Sequence, residues 1–343
     1  MVDKILKFLL LVSPIAFIAK MPLKHFESMF FYVGVILLFV ASLYDTKIRE
    51  MPGKKFIPLL AGCCLVNILL HSFRIEVVCR SLDIILAVIT TGIIVQYCKK
   101  PKECYKYIVI AGCLNIAMFA LQRIGFTTQL VPPGAIVQAG GFMGNGPRLM
   151  TYLAIILPYM LNAGVIFFAL CIIASIFGTE YSLLGIAVLI LIIKKKRIFW
   201  IIGLVGGLVI CLIFKDKLIG SFFVRFDIWK NQFAGFIAQP LSGYGLNVSP
   251  FGQVAKSGVD MATWNSYLTF IFGIGILGIL PIIAVFKKFI KNFSISVECI
   301  GILALILLSM IEYPLEIVRL WITISAMVGF YLISIQNKEV HSG

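Results

Sequence analysis

Apolar positions in this chain come in long unbroken runs, each closed by a short polar or basic cluster. The runs lack the two-residue alternation of a barrel strand, so they predict helices. About 20 apolar residues span a bilayer. On that measure twelve segments can be drawn, over residues 5–19, 26–44, 56–72, 77–98, 105–124, 149–161, 163–177, 182–193, 198–214, 263–286, 296–311 and 317–335. The three between Leu149 and Ile193 are short. Tilted, broken or re-entrant segments there leave ten or eleven crossings as alternatives. Two polar stretches exceed a turn, Gly125 to Arg148 and Lys215 to Ala262, and no internal repeat stands out. The pattern predicts an all-α polytopic membrane protein with about 12 transmembrane helices. It forms a single membrane domain over residues 1–343, with one large external loop at 215–262 carrying an amphipathic helix.

Composition agrees. The chain is 61% hydrophobic and 13% charged, with a mean hydropathy of +1.04, whereas soluble domains are about half apolar and a quarter charged. The net charge of +15 does not point to nucleic acid, because the basic residues cluster between apolar runs. With the N-terminus inside, 18 of the 30 Lys and Arg fall inside and 10 outside. Both termini are then cytoplasmic by the positive-inside rule. The nine cysteines lie in apolar runs or inside loops and show no CxxC spacing, which predicts no disulfide framework or metal site. The N-terminal run is expected to stay as a first span, since no small-residue cleavage site follows it. His25, His71 and His341 are scattered and have no partner in sequence to suggest catalysis.

Within the external loop, Phe222, Phe226, Trp229, Phe233 and Ile237 share one arc of a helical wheel, and Asp227, Asn231 and Ala234 lie on the other side. That pattern suits a helix lying along a membrane surface. Arg225 is four residues from Trp229, so the two are neighbours at the edge of the apolar arc. Two roles are open to Arg225: anchoring the helix to anionic headgroups, or receiving a phosphate bidentately at headgroup depth. Pro240, Gly243 and Gly245 then end regular structure. The stretch "PLSGYGLN" either packs the helix onto the spans or presents backbone N–H groups to an anion.

Four stretches resemble the O-antigen ligase and O-antigen polymerase superfamily of bacterial envelope glycosyltransferases. "GFMGNGPRLMTYLAIILP" (Gly141 to Pro158) looks like that family's Gly-Asn-Pro-Asn segment leading into a helix ending at proline. "FGTEYSLLGIAVLILI" (Phe177 to Ile192) sits where the family has a Ser-Arg-Gly turn before a helix. "RFDIWKN…QPLSGYGLN" (Arg225 to Asn247) is similar to its Arg-x-x-x-Trp helix and following His-Pro-Leu-x-Gly-x-Gly type turn. "ATWNSYLTFIFGIGILGIL" (Ala262 to Leu280) resembles its His-Asn-x-x-Leu segment and Gly-rich span.

The resemblance implies an inner-membrane enzyme with its active face outside. It would move a glycan from an undecaprenyl diphosphate carrier to a lipid or glycan acceptor hydroxyl, without cofactor or metal. Diphosphate is a competent leaving group, so the main chemical demand is for cations that hold its growing charge. Arg225 is expected to do this, beside Trp229. Arg148 is either a second cation or a headgroup contact. Glu180 stands where the family has an arginine, as the acceptor's base or a salt-bridge partner. Trp264 stands where the family has a histidine, as a sugar-stacking platform or a boundary anchor. Asn265 and Tyr244 are expected sugar contacts. Arg80 and Asp83 either neutralise each other or line a polar cavity, and Glu316 pairs with Arg319. Two other readings stand beside this one, a transporter or lipid-carrier flippase and a divergent member that binds glycolipid without turnover.

Overall fold

The computed structural model describes residues 1–15, 26–51, 56–125, 139–143, 146–178, 182–193, 215–246, 265–276, 279–311, 315 and 317–342. Its α-helices are α1 (Val2–Val12), α2 (Phe26–Leu43), α3 (Phe56–Leu70), α4 (Ile75–Tyr97), α5 (Pro101–Arg123), α6 (Gly146–Ala163), α7 (Val165–Gly178), α8 (Ser182–Ile193), α9 (Lys215–Ala238), α10 (Ser266–Ile274), α11 (Ile279–Lys291), α12 (Val297–Ile311) and α13 (Trp321–Ser342). Short 3-10 turns precede α6 at Gly141–Met143 and α13 at Val318–Leu320. No strand occurs among the described residues. The all-helical expectation therefore holds. By length and composition, two of these helices can cross a membrane, over Val77–Tyr97 in α4 and Pro101–Arg123 in α5. The segment 198–214 lies outside the described residues.

Helix α6 is the centre of the bundle. Every residue from Leu149 to Met160 is buried, because the segment is apolar on all sides and has no face to give to solvent. It is enclosed by α5, α7, α8 and α12. The α5 contact is close: a Cβ at Gly112 would come within 2.6 Å of Ile156 Cδ1. Small residues let helix backbones approach in this way. The Tyr152 and Tyr159 hydroxyls are enclosed there without a hydrogen-bond partner among the described residues. A second contact layer forms where α4 packs along α13 and α2, and α1 packs along α5.

Long-range contacts sort the helix ends into two groups, as antiparallel alternation requires. At the first end, Asp45 accepts the Val2 N–H at 2.7 Å, the Lys99 N–H donates to Asp3 at 3.1 Å, and Lys7 pairs with Glu103 at 2.6 Å. Tyr105 donates to Glu298 at this end, and Gln336 donates to the Glu50 carbonyl at 2.7 Å. At the second end, Ser13 donates to the Arg319 carbonyl, Arg319 to the Phe142 carbonyl and Asn265 to the Met310 carbonyl, each at 2.8 Å. The start of α1 and the finish of α13 share the first end, with Lys99, Lys100, Lys102 and Lys106.

Asp45 is itself a test of this arrangement. The terminal amine holds its carboxyl below the usual range, and the Val2 N–H adds to that effect. A depressed carboxylate stabilises the fold above the ordinary carboxyl value, and that contribution is lost as pH falls through the lowered folded-state value. Wild type is therefore expected to outlast Asp45→Asn in thermal unfolding at neutral pH. The two melting curves are expected to converge in strong acid. A constant gap across that titration would contradict the assignment.

One expected span is corrected. The run 263–286 reads as a single crossing, but the chain breaks at Gly275, where φ is +80° and ψ is −162°. Asn265 starts α10 by accepting the Leu268 N–H at 3.0 Å, and Gly275 closes it after nine residues. The hydrophobic pattern runs through the break because glycine and the flanking isoleucines are all apolar by composition.

Candidate functional site at the second end

Helix α9 is set by its buried side. At 3.6 residues per turn, Arg225, Ile228, Trp229 and Phe236 fall within one arc. Ile228 and Phe236 are buried, and the Phe236 ring meets Phe272 of α10 at 5.4 Å. Arg225 and Trp229 are half-buried on that same side. The adjacent arc leaves Phe223, Phe226, Phe233 and Ile237 exposed, at 52 to 64%. The amphipathic helix is thus present and longer than expected, beginning at Lys215. Trp229 turns toward the protein with Arg225, at the flank of the exposed aromatic arc.

The Pro-Leu-Ser-Gly-Tyr-Gly turn is locked onto the break after α10. The Tyr244 N–H donates to the Phe272 carbonyl at 2.9 Å, and the Gly245 N–H donates to the Gly273 carbonyl at 3.0 Å. The Ile276 N–H returns to the Pro240 carbonyl at 2.9 Å. These bonds use donors and acceptors that regular helix would have paired internally. The backbones approach so closely that only glycine fits: a Cβ at Gly243 would lie 2.4 Å from the Phe272 carbonyl oxygen. Asn67 of α3 holds both halves. Its amide nitrogen donates to the Gly273 carbonyl at 2.8 Å, and its amide oxygen accepts the Leu246 N–H at 3.1 Å. The turn therefore packs α9 onto the bundle, and its Tyr244 and Gly245 N–H groups are committed to backbone carbonyls.

A groove of ≈ 520 Å³ opens beside this clasp, lined by Leu70, His71 and residues 238–242. His71 enters it from the end of α3, where Ser72 and Phe73 carry the unusual φ values +53° and +56°. Its Nε2 lies 3.3 Å from the Ser242 carbonyl oxygen. Sequence reading missed both His71 and Asn67. A lone asparagine within the apolar run "CCLVNILL" was the available signal for the second. Nothing in the spacing signalled the first.

The remaining expected residues sort clearly. Arg148 is half-buried in the first turn of α6, next to the 3-10 turn. Gln122 fixes that turn, accepting the Gly140 and Gly141 N–H groups at 3.0 and 2.8 Å. Asn265 is buried and uses its amide at both ends, capping α10 and donating to Met310. Tyr244 is half-buried in the clasp. Glu180 as base or partner, Trp264 as platform or anchor, and the Glu316–Arg319 pair fall on Glu180, Trp264 and Glu316, which lie outside the described residues. Arg80 and Asp83 are both buried and 3.8 Å apart, with the Arg80 guanidinium over the Trp321 ring at 5.1 Å and donating to the Leu315 carbonyl. They form a buried ion pair.

The structure brings the described parts of the four quoted stretches to one end. Phe142 is tied to Arg319, whose 3-10 turn lies close to Leu315, and the Leu315 N–H donates to Ser266 at 3.4 Å. Ser266 opens α10, which carries the glycine clasp to Tyr244 and Gly245. Helix α7 runs back along α6 and ends at Gly178, so α8 also begins at this end. Along α9, Arg225 is thirteen residues from Ala238, about 20 Å at 1.5 Å per residue, so the guanidinium and the groove are separate places.

A search of protein-family models finds no match to this chain, and a search of curated proteins finds none either.

Proposed function

We propose that the chain is a polytopic membrane protein of the bacterial envelope. Its second end would transfer a glycan from an undecaprenyl diphosphate carrier to an acceptor hydroxyl, as an O-antigen polymerase or ligase does. Support for the membrane comes from the outer helix faces, where Ile36, Phe39, Leu65, Leu69, Ile166 and Phe177 are all more than half exposed. A soluble monomer seldom exposes apolar surface on that scale. The lysines at the first end fit the cytoplasmic side.

The observation that carries the transferase reading is the meeting of four sequence-distant stretches at one end, two of them interlocked through the glycine clasp. In this reading Arg225 holds the carrier's diphosphate at the boundary of the exposed aromatic arc, where the lipid tail can lie along Phe226 and Phe233. The acceptor oxygen forms a bond to the anomeric carbon while the carbon–oxygen bond to diphosphate breaks. Its electron pair leaves with the diphosphate, and the guanidinium stabilises the charge as it grows. Arg148 supplies a second cation, and Glu180 takes the acceptor's proton.

The test uses purified protein, undecaprenyl diphosphate-linked oligosaccharide and an acceptor glycan. Arg225→Ala is expected to lower the transfer rate by about 100-fold or more, the scale for removing one such donor. Arg225→Lys is expected to fall between, because an ammonium cannot grip two oxygens as a fork. Transfer by Arg225→Ala at nearly the wild-type rate would reject the role of the residue. Absence of product with wild type would reject the reaction.

The break at Gly275 favours one second reading, a lipid-carrier translocator, since discontinuous helices build substrate sites in transporters. Movement of the carrier across liposomes without glycosidic bond formation would select it.

A further inference from the structure

We propose that the groove between His71 and the Pro240–Ser242 turn is a subsite for a neutral saccharide, remote from the reacting centre. It would hold a distal part of the glycan through a hydroxyl donated to His71 Nδ1. The choice of a saccharide rests on the transferase reading. The groove and its chemistry do not.

Three observations carry the assignment. First, the Ser242 carbonyl can only accept, so Nε2 carries the ring proton and donates to it. In the neutral ring that fixes the tautomer and leaves a lone pair on Nδ1. Among the described residues no protein group bonds to Nδ1, and the ring is a wall of the ≈ 520 Å³ groove. Second, among the described residues the lining holds no Lys, Arg, Asp or Glu. A phosphate would find no charge partner there, whereas hydroxyl groups find His71, the Gln239 amide and the Ser242 hydroxyl. Leu70, Pro240 and Leu241 offer apolar surface to the C–H face of a sugar ring. Third, the ring is held in place. A Cβ at Gly245 would come within 3.1 Å of His71 Cγ, so the clasp backbone abuts the imidazole. The paired positive φ values at Ser72 and Phe73 turn the chain directly after it, and such backbone is usually retained where a site requires it.

The groove's distance from Arg225, about 20 Å along α9, excludes the reacting hydroxyl, which must sit beside the anomeric carbon. Several sugar units are needed to reach from one place to the other. The subsite therefore favours longer glycans through binding energy taken from parts of the substrate that do not react.

The direct test labels the protein with 15N-histidine in lipid nanodiscs and adds maltotetraose or chitotetraose. The expected result is a shift of the His71 Nδ1 signal with Nε2 unmoved, absent from His71→Gln. Inorganic phosphate serves as the competing probe. A shift with phosphate and none with the tetrasaccharides would make the groove an anion site and overturn the proposal. No shift with either probe overturns it as well. Gln239→Ala alters the exposed rim without touching the clasp, so it reports on the groove if His71→Gln fails to fold; unchanged tetrasaccharide affinity in both variants refutes the subsite. In the transfer assay, His71→Gln is expected to raise KM for a tetrasaccharide-length glycan about 3- to 10-fold more than for a monosaccharide, the scale of one hydrogen bond. If wild type forms no product while the Nδ1 shift persists, the transferase reading falls and the saccharide groove stands. If wild type transfers and His71→Gln shows no length dependence, the subsite falls and the reading stands.

Discussion

Gly275→Ala is expected to unfold the second end of the molecule. Two costs act at this position. The backbone lies at φ +80° and ψ −162°, a region open essentially to glycine alone, and any other residue held there costs about 1–3 kcal/mol. The added methyl would also lie 2.2 Å from the Leu241 carbonyl oxygen, 2.5 Å from its carbon and 2.9 Å from the Gly243 nitrogen. These are backbone atoms, which cannot swing aside as a side-chain tip can, and overpacking of this kind costs roughly 1–3 kcal/mol more. The sum, about 2–6 kcal/mol, is a large share of a typical domain's stability. If the clasp opens to admit the methyl, Asn67 is left with the Gly273 carbonyl and the Leu246 N–H unpaired in a buried place, which adds to the penalty. Gly62→Ala is the control. Gly62 lies within α3 with nothing near its Cβ direction, and alanine there is expected to be neutral or stabilising by up to ~1 kcal/mol. Thermal unfolding in detergent would read both variants. A Gly275→Ala protein that melts with wild type would mean that the clasp does not form.

The hydrophobic pattern was enough for the helices but not for the site, and the reason is physical. An unbroken apolar run such as Leu149 to Met160 dictates a buried helix whatever its neighbours are, so α6 was legible. Arg225 and Trp229 share a helix face because they are four apart, and that too could be read locally. The break at Gly275 could not be read, because it depends on a carbonyl from Pro240 and a turn 30 residues away in the chain. The groove was hidden for the same reason. His71 has no partner in its own segment and acquires one only when the Ser242 carbonyl is brought to it. Asn265 shows a second, structural engagement that spacing could not reveal. Its place beside the expected histidine suggested a sugar contact, while its amide caps α10 and holds α12. Residue type and spacing announce a polar side chain. Only the fold decides whether backbone has already used it.

Arg80→Leu is expected to destabilise the protein by about 3–5 kcal/mol, the cost of leaving one member of a buried ion pair behind. Arg80 and Asp83 are 9% and 4% exposed, so water cannot replace the lost partner. The leucine also gives up the contact over Trp321 and the donor to the Leu315 carbonyl, and with it a tie between α4 and the approach to α13. Asp83→Leu is expected to cost a similar amount by leaving the guanidinium with an incomplete set of acceptors. The double variant decides what the pair is for. Replacing both charges by apolar groups of similar size is often neutral or stabilising in a buried setting. If Arg80 and Asp83 only neutralise each other, Arg80→Leu with Asp83→Leu should therefore recover most of the loss, with a coupling of several kcal/mol between the sites. A double variant as unstable as the sum of the single ones would instead assign the stability to Arg80's hold on Leu315 and Trp321.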